Sequence, residues 1–221
     1  MITMRSDWWN ADSYLPWIDP LVEAAFGAEI DLHWDLYLQT HAHRLQHGPG
    51  CEAYPSPPSR APLWAILAEQ LPSPPEVILE TGTGIGYSTV LIAEAFPHSR
   101  LFTVEHDAHH RRIAERTFAD AGVADLVTIV HSMEEAPFER SDLVFVDGPV
   151  VDPARLREDC LLIDDAVKRT FRGAAITALE PLRNPSGDTD AALRLARQRY
   201  RDAAAELLGA TRNEDVRISS Q

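Results

Sequence analysis

Three carboxylates each close a short apolar run: Glu80 follows Val77-Ile78-Leu79, Glu105 follows Leu101-Phe102-Thr103-Val104, and Asp147 follows Leu143-Val144-Phe145-Val146. Between the first of them and a helical apolar pattern lie Gly82, Gly84 and Gly86. Apolar runs of this length read as buried parallel strands, and a carboxylate at the carboxyl end of such a strand faces the crevice where ligands of α/β sheets bind. Glycines at that turn let the backbone approach a ligand closely, and the helix that follows offers free N–H groups. The spacing is G-x-G-x-G, not the G-x-G-x-x-G that seats a pyrophosphate on a helix N-terminus. Glu80, just before the turn, would repel a phosphate and attract a cationic amino group. Glu105, nineteen residues past Gly86, stands where an acid can accept both hydroxyls of a ribose. The ligand these residues describe is nucleoside-like and carries an amino group instead of a second phosphate.

The elements that must hold these groups follow from periodicity. Ser59 to Leu71 reads as an amphipathic helix stopped by Pro72-Ser73-Pro74-Pro75, Tyr87 to Phe96 as a helix stopped by Pro97, and Ala108 to Ala121 as a helix closed by Gly122. Leu126 to Val130 supplies a third strand and Asp142 to Val146 the fourth. Pro153 to Phe171 is predicted as a helix in preference to a strand at Leu161-Leu162-Ile163-Asp164-Asp165, which would shorten the crossover after Asp147. The fifth strand is then predicted at Ala174 to Leu179, ending in Glu180-Pro181, followed by a helix from Asp188 to Leu208 and a last short strand at Val216 to Ile218. The expected class is α/β: a doubly wound, mostly parallel Rossmann-like sheet with helices on both faces. Residues 1–58 form a helical extension for a lid or for dimerisation, and residues 59–221 form the ligand-binding domain.

On Leu79-Glu80-Thr81-Gly82 and Gly86-Tyr87-Ser88, the chain resembles the class I, Rossmann-like S-adenosylmethionine-dependent methyltransferases, and within them the catechol and caffeoyl-CoA O-methyltransferase group. The resemblance runs from about Ser59 to Pro149. It implies S-adenosylmethionine as cofactor, held by Glu80, Gly82, Thr83, Gly84, Gly86, Tyr87 and Ser88 at the loop and by Glu105 and His106 at the ribose. Met133 and Glu134 would meet the adenine, and Asp147 would lie beside the reactive methyl. Asp147 is the first choice as a catalytic base, with Glu180 next. Metal-dependent members of the group follow this Asp with a second acidic or a basic residue nearby and carry Asp-Asn after the fifth strand. This chain has Gly148-Pro149-Val150 and, on the strand assignment above, Glu180-Pro181, so no metal site is assigned and metal-independent methyl transfer to a small acceptor, oxygen favoured, is expected. Non-methylating chemistry on the same cofactor (a cyclase, isomerase or lyase) and a non-catalytic dimerisation module are the alternatives.

Bulk properties narrow the partners. Net charge is −14, and one lysine, Lys168, stands against nineteen arginines; so acidic a chain is a poor match for nucleic acid or anionic membrane surfaces. Cys51 and Cys160 lack metal-type spacing and suit a reducing compartment, and no leader pattern or long apolar run is seen, so the cytoplasm is expected. Trp8, Trp9, Trp17 and Trp34, with Tyr14, Phe26 and Tyr37, crowd the extension. Aromatic surface of that size must pack on the main domain, cover an acceptor pocket or bury itself in a homodimer. His41, His43 and His47 are expected on a solvated helix face.

Overall fold

The computed structural model describes residues 18–48, 50–54, 56, 58–183 and 188–212. Trp8, Trp9, Tyr14 and Trp17, and the strand expected at Val216 to Ile218, lie outside the described residues. Helices α1 (Ile18–Phe26), α2 (Trp34–His47) and α3 (Ala61–Gln70) precede an alternation of β1 (Val77–Thr81), α4 (Tyr87–Ala95), β2 (Arg100–Val104), α5 (Ala108–Asp120) and β3 (Val127–Val130). Then come β4 (Leu143–Val146), β5 (Leu161–Ile163), α6 (Asp165–Arg183) and α7 (Thr189–Arg212). The strands form a five-stranded sheet in the order β3-β2-β1-β4-β5, and every pairing is parallel. The strand order reverses between β1 and β4, which opens a crevice at their carboxyl ends.

Side-chain alternation sorts the sheet into two faces. Ile78, Leu101, Leu143, Phe145, Leu161 and Ile163 point into the larger core cluster, built with residues from all seven helices. Leu79, Val104, Val144 and Val146 point the other way, under Ala136, Phe138, Val151 and Cys160 of the connecting segments. The N-terminal helices share the larger cluster. Val22, Ala25, Phe26, Leu32 and Tyr37 are buried in it, Phe26 meets Tyr200 edge-on at 5.0 Å, and Arg197 pairs with Glu29 at 2.9 Å. On α2, Leu38 and Leu45 are exposed.

Two assignments are corrected. The fifth strand is Leu161–Ile163, in register with Leu143, Val144 and Phe145, and the stretch expected as that strand lies inside α6. Ala175, Ala178, Leu179 and Leu182 are buried at helical spacing, one stripe against α7 and the sheet. The crossover that looked too short needs only one tight turn at Pro153–Arg155, begun by Asp152, whose side chain accepts from Ala154 N at 2.9 Å.

Candidate functional site

The loop between β1 and α4 is held from below. Glu80 is fully buried, and its carboxylate accepts from Ser88 Oγ at 2.6 Å, Thr89 Oγ1 at 2.5 Å and Thr103 Oγ1 at 2.7 Å. Thr103 Oγ1 is 2.7 Å from Thr83 Oγ1, so one network joins β1, β2, the loop and the first turn of α4. Burial pushes the Glu80 carboxyl up to about 7, opposed by those hydroxyls. Glu80 and Ser88 are thus bonded to each other beneath the loop, with both side chains buried. The Tyr87 hydroxyl donates to Leu32 O at 2.9 Å and anchors the N-terminal helices. Gly82 has φ +93°, and a Cβ there would stand 2.8 Å from Asp147 O. The backbones of Gly82 and Asp147 thus meet directly where β1 and β4 end. At Gly86 a Cβ would lie 2.6 Å from the Phe118 ring, so this glycine sets the packing of α4 on α5.

Glu105 ends β2 with one oxygen accepting from Gly84 N at 2.8 Å and the other from Asp107 N at 2.9 Å. The glycine loop and the acid that the sequence predicts for a ribose therefore share one edge of the crevice. His106 is exposed, with Nδ1 3.6 Å from the Glu105 carboxylate. Met133 is partly buried against the smaller core cluster, and its carbonyl accepts from Arg155 at 3.3 Å. Glu134 is exposed, and the Ser132 hydroxyl beside it holds its carboxyl below the usual range.

Asp147 meets two cations that sequence reasoning missed. Its Oδ1 accepts from Lys168 Nζ at 2.8 Å and from Arg60 at 3.3 Å, while Oδ2 accepts from Ser56 Oγ at 3.3 Å. Arg60 also donates to Ser56 Oγ at 2.8 Å. Lys168 is buried, donates to Val146 O as well, and lies over the Phe145 ring. The only signal for it in the sequence is that it is the single lysine. Glu180 is not brought to this point. It is exposed on α6, twelve residues beyond Lys168, and at 1.5 Å per helical residue that is about 18 Å along the axis. The acids that do follow the fifth strand are Asp164 and Asp165, and Asp164 Oδ1 caps α6 by accepting from Val167 N at 2.9 Å. Among the described residues, no cluster of three metal-ligating side chains includes Asp147.

A five-stranded parallel sheet with a glycine loop after its central strand, and acids at the tips of three strands, invites comparison with known proteins. Over 102 residues the chain is 36% identical to catechol O-methyltransferase B of Danio rerio, an alignment covering 40% of this chain and 39% of that protein. Over 128 residues it is 32% identical to a catechol O-methyltransferase of Mycobacterium tuberculosis, covering 52% and 54%. The alignments thus span about half or less of these curated relatives. In structure the chain is similar to a methyltransferase of Podospora anserina solved with S-adenosylhomocysteine, with a TM-score of 0.51 at 18% identity over 89% of this chain and 88% of that one. The fold is that of the class I, Rossmann-like methyltransferases. The likeness in sequence is to their catechol O-methyltransferase group. No family model matches the chain.

Proposed function

We propose that the protein is an S-adenosylmethionine-dependent methyltransferase acting on a small-molecule acceptor, with an oxygen acceptor favoured and no divalent cation required. The observation that carries this reading is the pairing of the Gly84 amide with the Glu105 carboxylate at 2.8 Å, across the open end of β1 and β2. A carboxylate so fixed is aimed to take two ribose hydroxyls. The relatives' catechol O-methyltransferase names and the neighbour's bound S-adenosylhomocysteine support the same cofactor and reaction.

The cofactor supplies a methyl group already activated on a sulfonium, so the protein's work is to hold, align and exclude water. Glu80 and its hydroxyl network fix the loop. Glu105 positions the nucleoside, and Met133 offers an apolar surface at the third strand's exit with Glu134 beside it. His106 and Thr83 complete the proposed cofactor set, Thr83 from beneath the loop. Asp147 stands at the acceptor edge between Lys168 and Arg60. Two cations around one carboxylate favour an acceptor bearing an ionised hydroxyl or an acid group, and Arg60, the less buried cation, is the one such a group would meet. The ammonium of Lys168 takes the place on Asp147 that a divalent ion holds in the metal-dependent group. This pairing supports methyl transfer without magnesium.

The net charge of −14 supports a partner other than nucleic acid, and among the described residues no helix is long and apolar enough to cross a membrane. With β3 and β5 as the outer strands of the described sheet, this supports a cytoplasmic homodimer as the working assembly. The test is incubation with S-adenosylmethionine and a panel of catechols, phenols and hydroxy acids in magnesium-free buffer, reading S-adenosylhomocysteine and methylated product together. Turnover of a hydroxylated acceptor, unchanged by added magnesium, is expected. Cofactor consumption without a methylated product would overturn methyl transfer, and strict magnesium dependence would overturn the role given to Lys168.

A further inference from the structure

Of the three histidines expected on a solvated face, His47 is exposed, whereas His43 is packed against His109 and His110 of α5. His43 is nine-tenths buried, and its Nε2 has no hydrogen-bond partner. Its ring lies 5.1 Å from that of His110, 4.4 Å from His47 and 5.6 Å from His109. Cys51 Sγ, also buried, is 3.7 Å from His110 Nε2. One ligand atom from each of His43, Cys51 and His110 falls within 4.8 Å of the other two. A buried imidazole nitrogen without a partner is costly unless something fills its lone pair.

We propose that His43, Cys51 and His110 form a binding site for a borderline-soft divalent transition-metal ion, of which zinc is the type. Tetrahedral zinc, with bonds of about 2.3 Å to sulfur and 2.0–2.1 Å to nitrogen, separates its ligand atoms by roughly 3.5 Å. Cys51 and His110 already stand at nearly that spacing, and the third ligand has to close by at most about 1.3 Å. The donor set of two imidazoles and a thiol suits zinc, cobalt or copper and disfavours magnesium or calcium. On the other side of the His110 ring, Nδ1 lies 3.8 Å from the Glu105 carboxylate, an orientation that leaves Nε2 for the metal. Binding releases the Cys51 proton to solvent as the metal–sulfur bond forms. The fourth position opens toward a cleft of about 430 Å³ lined by His47, Gly50, Cys51, Glu52, His106, Asp107 and His110, so water or His47 can complete the shell.

The site is distinct from the Asp147 cluster and ties α2 and the segment after it to the first turn of α5, behind the carboxylate proposed for the ribose. It does not depend on the methyltransferase reading.

Cobalt(II) titration of the full-length, metal-stripped protein tests it. One equivalent should bind with thiolate-to-cobalt charge-transfer absorption and the intense visible bands of a tetrahedral centre, and zinc should displace it. C51S should lose the charge-transfer absorption, and H43Q should weaken affinity at least tenfold. Circular dichroism first establishes that each variant is folded, and if C51S is not, H43Q carries the decision. Absence of the charge-transfer absorption in the parent protein, or absorption and affinity unchanged in H43Q, overturns the proposal. So does binding that survives in C51S with equal affinity, which would place the ion on His47 and His109.

Discussion

Replacing Lys168 with methionine removes the best-placed partner of Asp147 and leaves a carboxylate that is 18% exposed beside the place of a side chain that was 5% exposed. Breaking a buried pair by deleting one partner costs about 3–5 kcal/mol, because the remaining charge is left uncompensated. Arg60 at 3.3 Å still offers partial compensation, so the low end, about 3 kcal/mol, is the expected loss for K168M. For a chain of this length that is about 6–12 °C in Tm. D147N should cost a similar amount, since it strands a buried ammonium. The double variant D147N/K168M keeps neither charge and should be more stable than the sum of the single losses implies by about 2 kcal/mol or more, the coupling of a contacting pair. Urea unfolding of all four proteins, followed by circular dichroism at pH 7 and low salt, gives the cycle. Losses that add within about 0.5 kcal/mol would show that the two groups do not interact, and the reasoning that puts an ammonium in a metal's place would fail.

Glu80 makes stability depend on pH in a direction opposite to that of an ordinary paired carboxylate. Its carboxyl is raised from 4.5 to about 7 in the folded protein. Its contribution is therefore fully present below pH 4.5 and is lost as pH rises through 7, a fall of about 3 kcal/mol across that window. E80Q, permanently neutral, should show a flatter stability profile than the parent between pH 4.5 and 7, and parallel profiles would refute the assignment. Deleting residues 1–48 removes five core side chains, Val22, Ala25, Phe26, Leu32 and Tyr37. At about 1.5–3 kcal/mol for each large one, the loss rivals the whole net stability of a domain, so the truncated chain should lack a cooperative thermal transition. A cooperative melt within a few degrees of the parent would show that the N-terminal helices are dispensable to the core.

The strands β1 to β4 and the helices α3 to α5 were legible in the sequence because each couples a clear period to a strong stop: Pro72 to Pro75, Pro97 and Gly122. The fifth strand was not. Leu161, Leu162 and Ile163 are too short a run to outweigh the helical pattern around them, and an alanine-rich stripe at 174–179 looks apolar enough for a strand until its burial spacing is known. That shift carried Glu180 out of the site and placed Asp164 and Asp165 after the strand. Strand-tip acids were found as positions, whereas their partners were not, since Thr89, Thr103, Arg60 and Lys168 reach them only through the tertiary fold. The same limit explains Glu80, whose place before the turn was right but whose direction depends on hydroxyls from α4 and β2. His43 lies four residues from His47 on a helix that reads as polar, and only the packing of α2 beside α5 buries it.

The central claim is that the crevice holds S-adenosylmethionine through Glu105, and isothermal titration calorimetry measures this most directly. The parent protein should bind S-adenosylmethionine at one site per chain, show no heat with NAD, and lose about 1.5–3 kcal/mol of binding free energy in E105A, the value of hydrogen bonds to a charged group. Tight NAD binding with no response to S-adenosylmethionine, or an affinity unchanged in E105A, would contradict the account.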